Sequence, residues 1–281
     1  MAWYDKYLSI YDKPFSEVPA NVIEETRDRL AKMQSDKPLI SIVVIAYNEE
    51  AHLQACLWAL SEIKCKYPLE IIGVNNDSKD RTAEIFEASG IPYYTEYQHS
   101  CGYARRCGLQ HAKGKYYFDV DADTLYPPHY YDILMEQLLK PDVSCVSSLW
   151  SYFPDKNHTK FGLAVFELCR DLFLWVQHFK RPELSVRGLV FAYNIDYARN
   201  EEYRVDIIRG EDGSMALALK KYGRIAFVYN RKARAITGYG TLNDESLWDS
   251  FVKRIKIQGK GIMRIFHKTE HYEDSEDNLV K

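Results

Sequence analysis

The 281-residue sequence holds no C-x-x-C pair and no cluster of Cys and His at zinc spacing. This argues against a thioredoxin-like redox motif and against the common structural zinc sites. It holds no apolar run of transmembrane length, no internal repeat and no low-complexity tract. Its opening, MAWYDKYLSIYDK, lacks the basic start and long apolar core of a secretory signal. Asn157-His158-Thr159 has the form of a glycosylation sequon, but without a secretory signal it carries no weight. A formal net charge of −3 gives no bulk attraction to nucleic acid or to anionic lipid, so no nucleic-acid partner is expected. The six cysteines, Cys56, Cys65, Cys101, Cys107, Cys145 and Cys169, fall mostly in apolar-periodic segments. Reduced thiols in a cytoplasmic protein are the expectation.

What is present is an ordinary globular composition with 22 tyrosines. Packing is the plain reading of those rings; a groove that stacks on sugar is the sharper one. Residues 1–38 are polar and punctuated by Pro14, Pro19 and Pro38. Within them residues 20–33 suit a helix with Val22, Ile23, Leu30 and Met33 as sparse apolar positions. This stretch is read as an N-terminal extension packed on the main domain.

Residue 39 begins a regular pattern. LISIVVIAY is a β-branched run suited to a strand buried on both faces. Asn48 is placed to cap a helix with Leu53, Cys56, Leu57 and Leu60 on its inner face. LEIIGVN (69–75) is a second strand. Asp80 is placed to cap a helix to about Ser89, ended by Gly90. IPYYTEY (91–97) is a short strand, residues 103–113 a helix with Gly114 as its cap, and KYYFDVD the next strand. Pro127 and Pro128 open a helix to about Leu139. Residues 39–140 therefore alternate strand and helix, which predicts a doubly wound α/β domain with a mostly parallel sheet. Ligands bind at the carboxyl ends of strands in such sheets. AYNEE, VNNDSKD and DVDADT all follow strands, so three polar segments are expected to meet at one sheet edge.

The second half is less regular. A strand is expected at 143–153, and a long helix at 159–179 with Phe161, Val165, Leu168, Leu172 and Trp175 on one side. A short strand is expected at 185–194, a helix at 211–223 with acids in its first turn and Gly223 as its cap, and a strand at 224–230. Residues 245–268 mix Trp248, Phe251, Ile255, Ile262, Ile265 and Phe266 with six basic residues, and Gly259 and Gly261 interrupt the segment. One reading is a terminal helix packed on the catalytic domain with its basic side outward. The other is peripheral contact with an anionic membrane. An acidic tail follows.

KYYFDVDADT places Asp119, Asp121 and Asp123 at alternate positions at a strand end. Buried carboxylates repel, and a divalent cation relieves them; oxygen ligands suit Mg2+ or Mn2+. An EF-hand loop from Asp119 requires Gly at 124 and Glu at 130, where Thr124 and Tyr130 stand. A phosphatase of the haloacid-dehalogenase kind fits poorly with Asp123 and the late position. Asp121-Ala122-Asp123 fits the D-x-D that holds a metal on a nucleotide-sugar diphosphate. The plain alternative is a capped helix start.

SIVVIAYNEEAHLQACLWAL, EIIGVNNDSKDRTAEI, GYARRCGLQHAKGKYYFDVDADT and GEDGSMALALKKYG occur in that order. Together they resemble the family 2 inverting glycosyltransferases of GT-A fold over roughly residues 39–230. The resemblance implies a single Rossmann-like domain in which 39–145 bind the nucleotide sugar and 146–240 the acceptor, flanked by the extension 1–38 and a C-terminal amphipathic helix and tail, 241–281. It implies that Ala46, Tyr47, Glu49 and Asn76 hold the base and ribose. Asn75 and Asn76 stand where two aspartates are common, which leaves the base open between UDP and GDP. The resemblance further implies that Arg105 approaches base and phosphates, with Arg106 in place of the usual Asn. Asp121 and Asp123 bind metal and ribose, Asp123 the more directly, with Asp119 extra, in a supporting role or bonded to a nearby arginine. Gly188 lines the sugar and acceptor, and Asp212 or Glu211 is the general base. Each has a plain alternative: turn chemistry for the asparagines, solvated helix positions for the arginines, helix-dipole acids for Glu211 and Asp212. The Q-x-x-R-W motif of processive synthases is absent. The expectation is a metal-dependent (Mn2+ or Mg2+) transferase that moves one sugar to a hydroxyl on a glycan or lipid-linked acceptor. It would serve cell-envelope polysaccharide, in the cytoplasm or peripherally at the inner face of the membrane. The rivals are a nucleotidyltransferase on a similar sheet and a non-catalytic nucleotide-sugar-binding protein.

Overall fold

The structure, a computed structural model, describes residues 2–154, 158–207 and 210–239. A 14-residue helix, α1 (Ala20–Met33), follows two short 3-10 turns. Then β1 (Ile40–Ala46), α2 (Leu53–Leu60), β2 (Leu69–Asn75), α3 (Thr82–Ser89), β3 (Tyr93–Thr95), α4 (Cys101–His111) and β4 (Tyr116–Asp121) alternate as the sequence pattern predicts. After β5 (Thr124–Leu125) and α5 (Tyr130–Leu138) come β6 (Val143–Ser148), β7 (Trp150–Tyr152), α6 (Lys160–His178) and β8 (Phe191–Asn194). The rest is α7 (Ile195–Ala198), α8 (Glu211–Leu219), β9 (Arg224–Val228) and β10 (Ala235–Thr237).

Seven strands form the central sheet in the order β3-β2-β1-β4-β8-β6-β9. β8 alone is antiparallel to its neighbours β4 and β6. Every residue of β1 and β2 is buried, as a continuous β-branched run between two helix layers requires. The register pairs Ala46 with Asn75 and Ile45 with Asp121, so the carboxyl ends of β1, β2 and β4 lie level. Because β8 runs backwards, the residues just before it, including Gly188, arrive at that same edge. A small second sheet, β5-β10-β7, stands beside it.

The N-terminal stretch contributes to the core: Tyr7, Ile10, Tyr11, Phe15 and Val18 are buried in the cluster that holds α2 and the sheet. Leu53, Cys56, Leu57 and Leu60 are all fully buried on α2. Gly90 ends α3 at φ 70 in the left-handed region, as the sequence predicts.

Several local expectations are corrected. Asn48 does not cap α2, which starts after His52; Asn48 sits at φ 54 and its Oδ1 accepts from the Lys79 N–H. α4 starts two residues early, at Cys101, because the Ser100 side chain caps it through the Tyr103 N–H. It ends at Ala112 in extended geometry, so Gly114 is no cap; its N–H donates to Ser41 Oγ. α5 begins at Tyr130, two residues beyond the proline pair. The strand expected at 143–153 is two strands in two different sheets. Only 191–194 of the 185–194 stretch is strand; Gly188–Val190 is a 3-10 turn. α8 ends at Leu219 with Lys220 as its cap, leaving Gly223 outside, against the Asp142 backbone. In α6 the five apolar residues do share one side, and that side is exposed. The expected segment 241–281 lies outside the described residues, as does Asn157 of the sequon.

Candidate active site

β4 carries Asp119 and Asp121 and ends there, with Asp123 two residues beyond, so the three aspartates meet different surroundings. Asp119 is fully buried: Arg105 Nη1 donates to its Oδ1 at 2.8 Å and Tyr203 Oη to its Oδ2 at 3.2 Å. The bond to a nearby arginine named from the sequence is thus present. Asp121, one-third exposed, accepts from Arg105 Nη2 at 2.9 Å. The Nε of the same guanidinium lies 2.9 Å from Asp212 Oδ1 and 3.6 Å from Glu211 Oε1. One arginine on α4 therefore joins the end of β4 to the start of α8.

Arg105 is itself buried. Burial works against its charge, but the carboxylates of Asp119, Asp212, Asp121 and Glu211 outweigh it and hold the guanidinium protonated. The acids pay for the same burial. Asp119 is pushed up to about 7 by burial, with Arg105 opposing. Glu211 is pushed up to about 8 by burial and then by the Asp212 charge. Asp212 is also raised by burial, while Arg105 favours its ionised form.

Two backbone features fix this arrangement. Gly210, just before α8, sits at φ 99, where a side chain is strained, and its turn aims Glu211 and Asp212 inward. A Cβ on Gly188 would stand 1.8 Å from Arg105 Nη2 and 2.7 Å from Asp212 Oδ2, so only glycine admits the pair.

Asp123 lies just past the end of β4, near Asp121 and Glu49. Its Oδ1 accepts from Thr124 Oγ1 at 3.0 Å, and its backbone carbonyl accepts from Tyr11 Oη at 2.7 Å. Burial pushes Asp123 up to about 7, and the nearby charges of Asp121 and Glu49 add to it. Glu49 Oε2 is 2.7 Å from His52 Nδ1, and His52 Nε2 is 2.9 Å from Asp12 Oδ1. Burial lowers His52, but its two carboxylate partners more than offset this and raise it to about 9. A donor set of carboxylate oxygens on Asp121 and Asp123 fits Mn2+ or Mg2+, which take one or two protein carboxylates and complete their shell with phosphate and water. Among the described residues no group of three or more His, Cys, Asp or Glu side chains is arranged to hold a metal alone.

At the ends of β1 and β2, Tyr47 is half exposed and meets the His99 ring edge-on at 5.3 Å. Asn75 Oδ1 accepts from the Ser78 N–H. Asn76 spends both amide hydrogens on the carbonyls of Glu96 and Gln98, at 2.9 and 2.7 Å. Turn and loop chemistry thus accounts for these bonds of both asparagines. Asn48 and Asp77 both adopt φ 54, a left-handed conformation uncommon outside glycine and typical of binding edges. Arg106 lies half-buried over the Tyr103 ring.

The structure therefore brings Arg105, Asp121, Gly188, Glu211 and Asp212 into contact around one guanidinium, with Ala46 and Asn76 level with them at the sheet edge. Asp123 and Glu49 form a neighbouring group. Sequence reading missed Tyr11, His52, Tyr203 and His99. The Glu49–His52 spacing of three was visible; the others reach the site from distant segments and left no local signal.

Residues 41–194, more than half of the chain, match the family described as Glycosyl transferase family 2. The chain belongs to that family. An uncharacterized glycosyltransferase of Rickettsia typhi is 28% identical over 248 residues, covering 81% of this chain and 76% of its own. One from Rickettsia prowazekii is 29% identical over 152 residues, so the chain spans about half of that relative (48% of each). Among solved structures, the mannosyltransferase PcManGT of Pyrobaculum calidifontis, in complex with GDP-Man and Mn2+, aligns over 90% of this chain and 74% of its own. Its TM-score is 0.59 and its identity 16%. Glucosyl-3-phosphoglycerate synthase of Mycobacterium tuberculosis, with Mn2+, UDP-glucose and phosphoglyceric acid, aligns over 90% and 87% at TM-score 0.52 and 19% identity. The fold is GT-A, and the enzyme class is glycosyltransferase; the nucleotidyltransferase alternative loses its ground.

Proposed function

We propose that the protein transfers one sugar, with inversion, from a nucleotide diphosphate sugar to an acceptor hydroxyl. The observation that carries this reading is the single guanidinium of Arg105, which touches Asp121 on the donor side and Asp212 on the acceptor side. In this reading the metal ligand Asp121 and the base Asp212 stand on either side of one guanidinium.

In this reading residues 39–145 hold the donor and 146–240 the acceptor. Tyr47, with His99 beside it, offers a ring to the base, and Ala46 and Glu49 line the base and ribose. Asn76 braces the wall through the 96–98 loop. Asp121 and Asp123 hold Mn2+ or Mg2+, which when bound stabilises the charge that develops on the departing diphosphate. Arg105 is spent on carboxylates, so its role here is to position them and to keep Asp212 ionised. Asp212, with Glu211 as the alternative, takes the acceptor's hydroxyl proton as that oxygen attacks C1. The C1–O bond to the diphosphate breaks, and its electron pair leaves with the nucleotide. Gly188 leaves room for the Arg105–Asp212 pair.

The GDP-mannose and UDP-glucose complexes of the two structural neighbours support a nucleotide-sugar donor and leave both bases in play. The acceptor is a hydroxyl on a glycan or lipid-linked intermediate, consistent with a cell-envelope role. A cytoplasmic site of action fits six free cysteines. No helix among the described residues is long and apolar enough to cross a membrane. Should the acceptor lie in a membrane, the basic side of 245–268 is the part of the chain that would face anionic lipid; co-sedimentation with anionic vesicles at low salt tests that contact. The donor reading is tested by thermal shift against UDP, GDP and their sugars, with and without Mn2+. A metal-dependent rise for one diphosphate supports it, and no response to any of them sinks it.

A further inference from the structure

α6 buries Leu163, Phe166, Arg170, Leu174 and Gln177 and turns its other side to solvent. That other side is apolar from end to end. Phe161 is 80% exposed, Leu168 69%, Leu172 60% and Phe179 68%, with Val165, Trp175 and Val176 also open. No charged residue stands among them; Lys160 and Lys180 mark the two ends. An apolar stripe this long is unusual on a monomer surface and marks a covered face.

The stripe has a period. Phe161, Val165, Leu168, Leu172, Trp175 and Phe179 follow one another at steps of four, three, four, three and four, the spacing of a seam between two helices. A segment beyond the described residues repeats it. Trp248, Val252, Ile255, Gly259, Ile262 and Phe266 show the same steps over the same length. Lys253, Arg254, Lys256, Lys260, Arg264 and Lys268 fall off that stripe, and no proline occurs from 240 to 281. Gly259 falls on the stripe, where a missing side chain lets a partner helix approach closely, and Gly261 falls on the far side.

The described chain also ends in the right place. Tyr239 stacks on Tyr152 and on His158, just before α6, and packs on Leu163 and Phe166 of that helix. Eight residues separate Tyr239 from Trp248. At about 3.3 Å each they reach as far as the length of α6.

We propose that residues 248–266 pack as a helix along the exposed side of α6, seam to seam, with their basic residues outward. The docking is independent of the catalytic assignment. It covers the apolar stripe with the chain's own segment and fixes the basic residues on the surface beside α6.

Cys169 lies exposed at the middle of the α6 stripe, and the middle of the second stripe is near residue 257. The two middles meet whichever way the segment runs. In the full chain, Ile255→Cys, Gln258→Cys and Gly259→Cys are made singly and oxidised mildly, and Cys169 disulfides are read by peptide mass. Ile257→Cys, on the basic side, is the control. At least one of the three forms an intramolecular bond to Cys169 and the control forms little, since bridging needs Cα atoms within about 7 Å. No intramolecular bond from any of the three overturns the proposal. A separate readout needs no new cysteine: the alkylation rate of Cys169 in the unmodified full chain against Ile255→Glu/Ile262→Glu. Opening the seam speeds alkylation about tenfold or more, as loss of a protective contact does. An equal rate in both, a dimer by light scattering that Leu168→Glu dissolves, or protection that appears only with anionic vesicles each contradicts it.

Discussion

Two groups of acids flank the end of β4, and they are balanced by different cations. Asp119, Asp121, Glu211 and Asp212 share Arg105, which is always charged. Glu49 and Asp12 share His52, whose charge depends on pH, and Asp123 lies beside them. The first group is a fixed structural knot between two halves of the chain. The second is adjustable and lies beside Asp123, one of the two candidate metal ligands; the other, Asp121, belongs to the first group. The contrast says where the site tolerates change and where it does not.

The largest break comes from Arg105→Met. It keeps the volume and leaves four acids around an uncharged centre, at a cost of about 3–5 kcal/mol. A large fall in Tm is expected, with Arg105→Lys in between. A Tm within a degree or two of the parent would show that the knot does not hold the halves together.

Asp123→Asn separates the groups most sharply. Asp123 is raised above its unfolded value of 3.8, to about 7, so its cost to folding grows as pH rises between those values and is full above 7. The amide is expected to leave stability at pH 8 equal or higher. Transfer should fall by about 10²–10³ and Mn2+ should no longer shift Tm with the diphosphate. Retained metal dependence moves the ligand elsewhere.

Gly188→Ala drives a methyl into the knot and should cost about 1–3 kcal/mol, as overpacking does. Its Tm loss should shrink when Arg105 is already Met, because the closer of its two clash partners has gone and only Asp212 remains. Additive losses would argue against the contact.

The smallest effect is at His52. Its folded value, about 9, lies above the ordinary 6.5, so its contribution is full below pH 6.5 and is lost as pH rises through 9. His52→Gln should lower Tm by a few degrees at pH 6 and by nothing above pH 9.5, a difference of about 1–2 kcal/mol. A loss that is the same at both pH values would mean packing against Tyr11, whose ring lies 4.7 Å away, and not charge.

The contrast also tracks what could be read from the chain. β1, β2 and β4 and the helices between them were legible, because burial on both faces writes a largely apolar run, while β3 is short and half-buried. Asp121, Asp123, Arg105, Glu211 and Asp212 were each visible by type and by neighbours. Their joining through one guanidinium was not, since that depends on a reversed β8 and a left-handed Gly210. Asn48, Gly114 and Gly223 look like caps in sequence, but tertiary partners claim them instead. Tyr203 reaches Asp119 from 84 residues away, beyond any local pattern. In α6 the apolar period was plain, yet period alone does not say which of two apolar sides is covered.

The most direct test of the catalytic assignment is sugar transfer by Asp212→Asn, with whichever nucleotide sugar shifts Tm in the presence of Mn2+. The variant is predicted to keep that shift and to lose about 10²–10⁴ in turnover, the worth of a general base. Full turnover by Asp212→Asn would contradict it and place the base elsewhere.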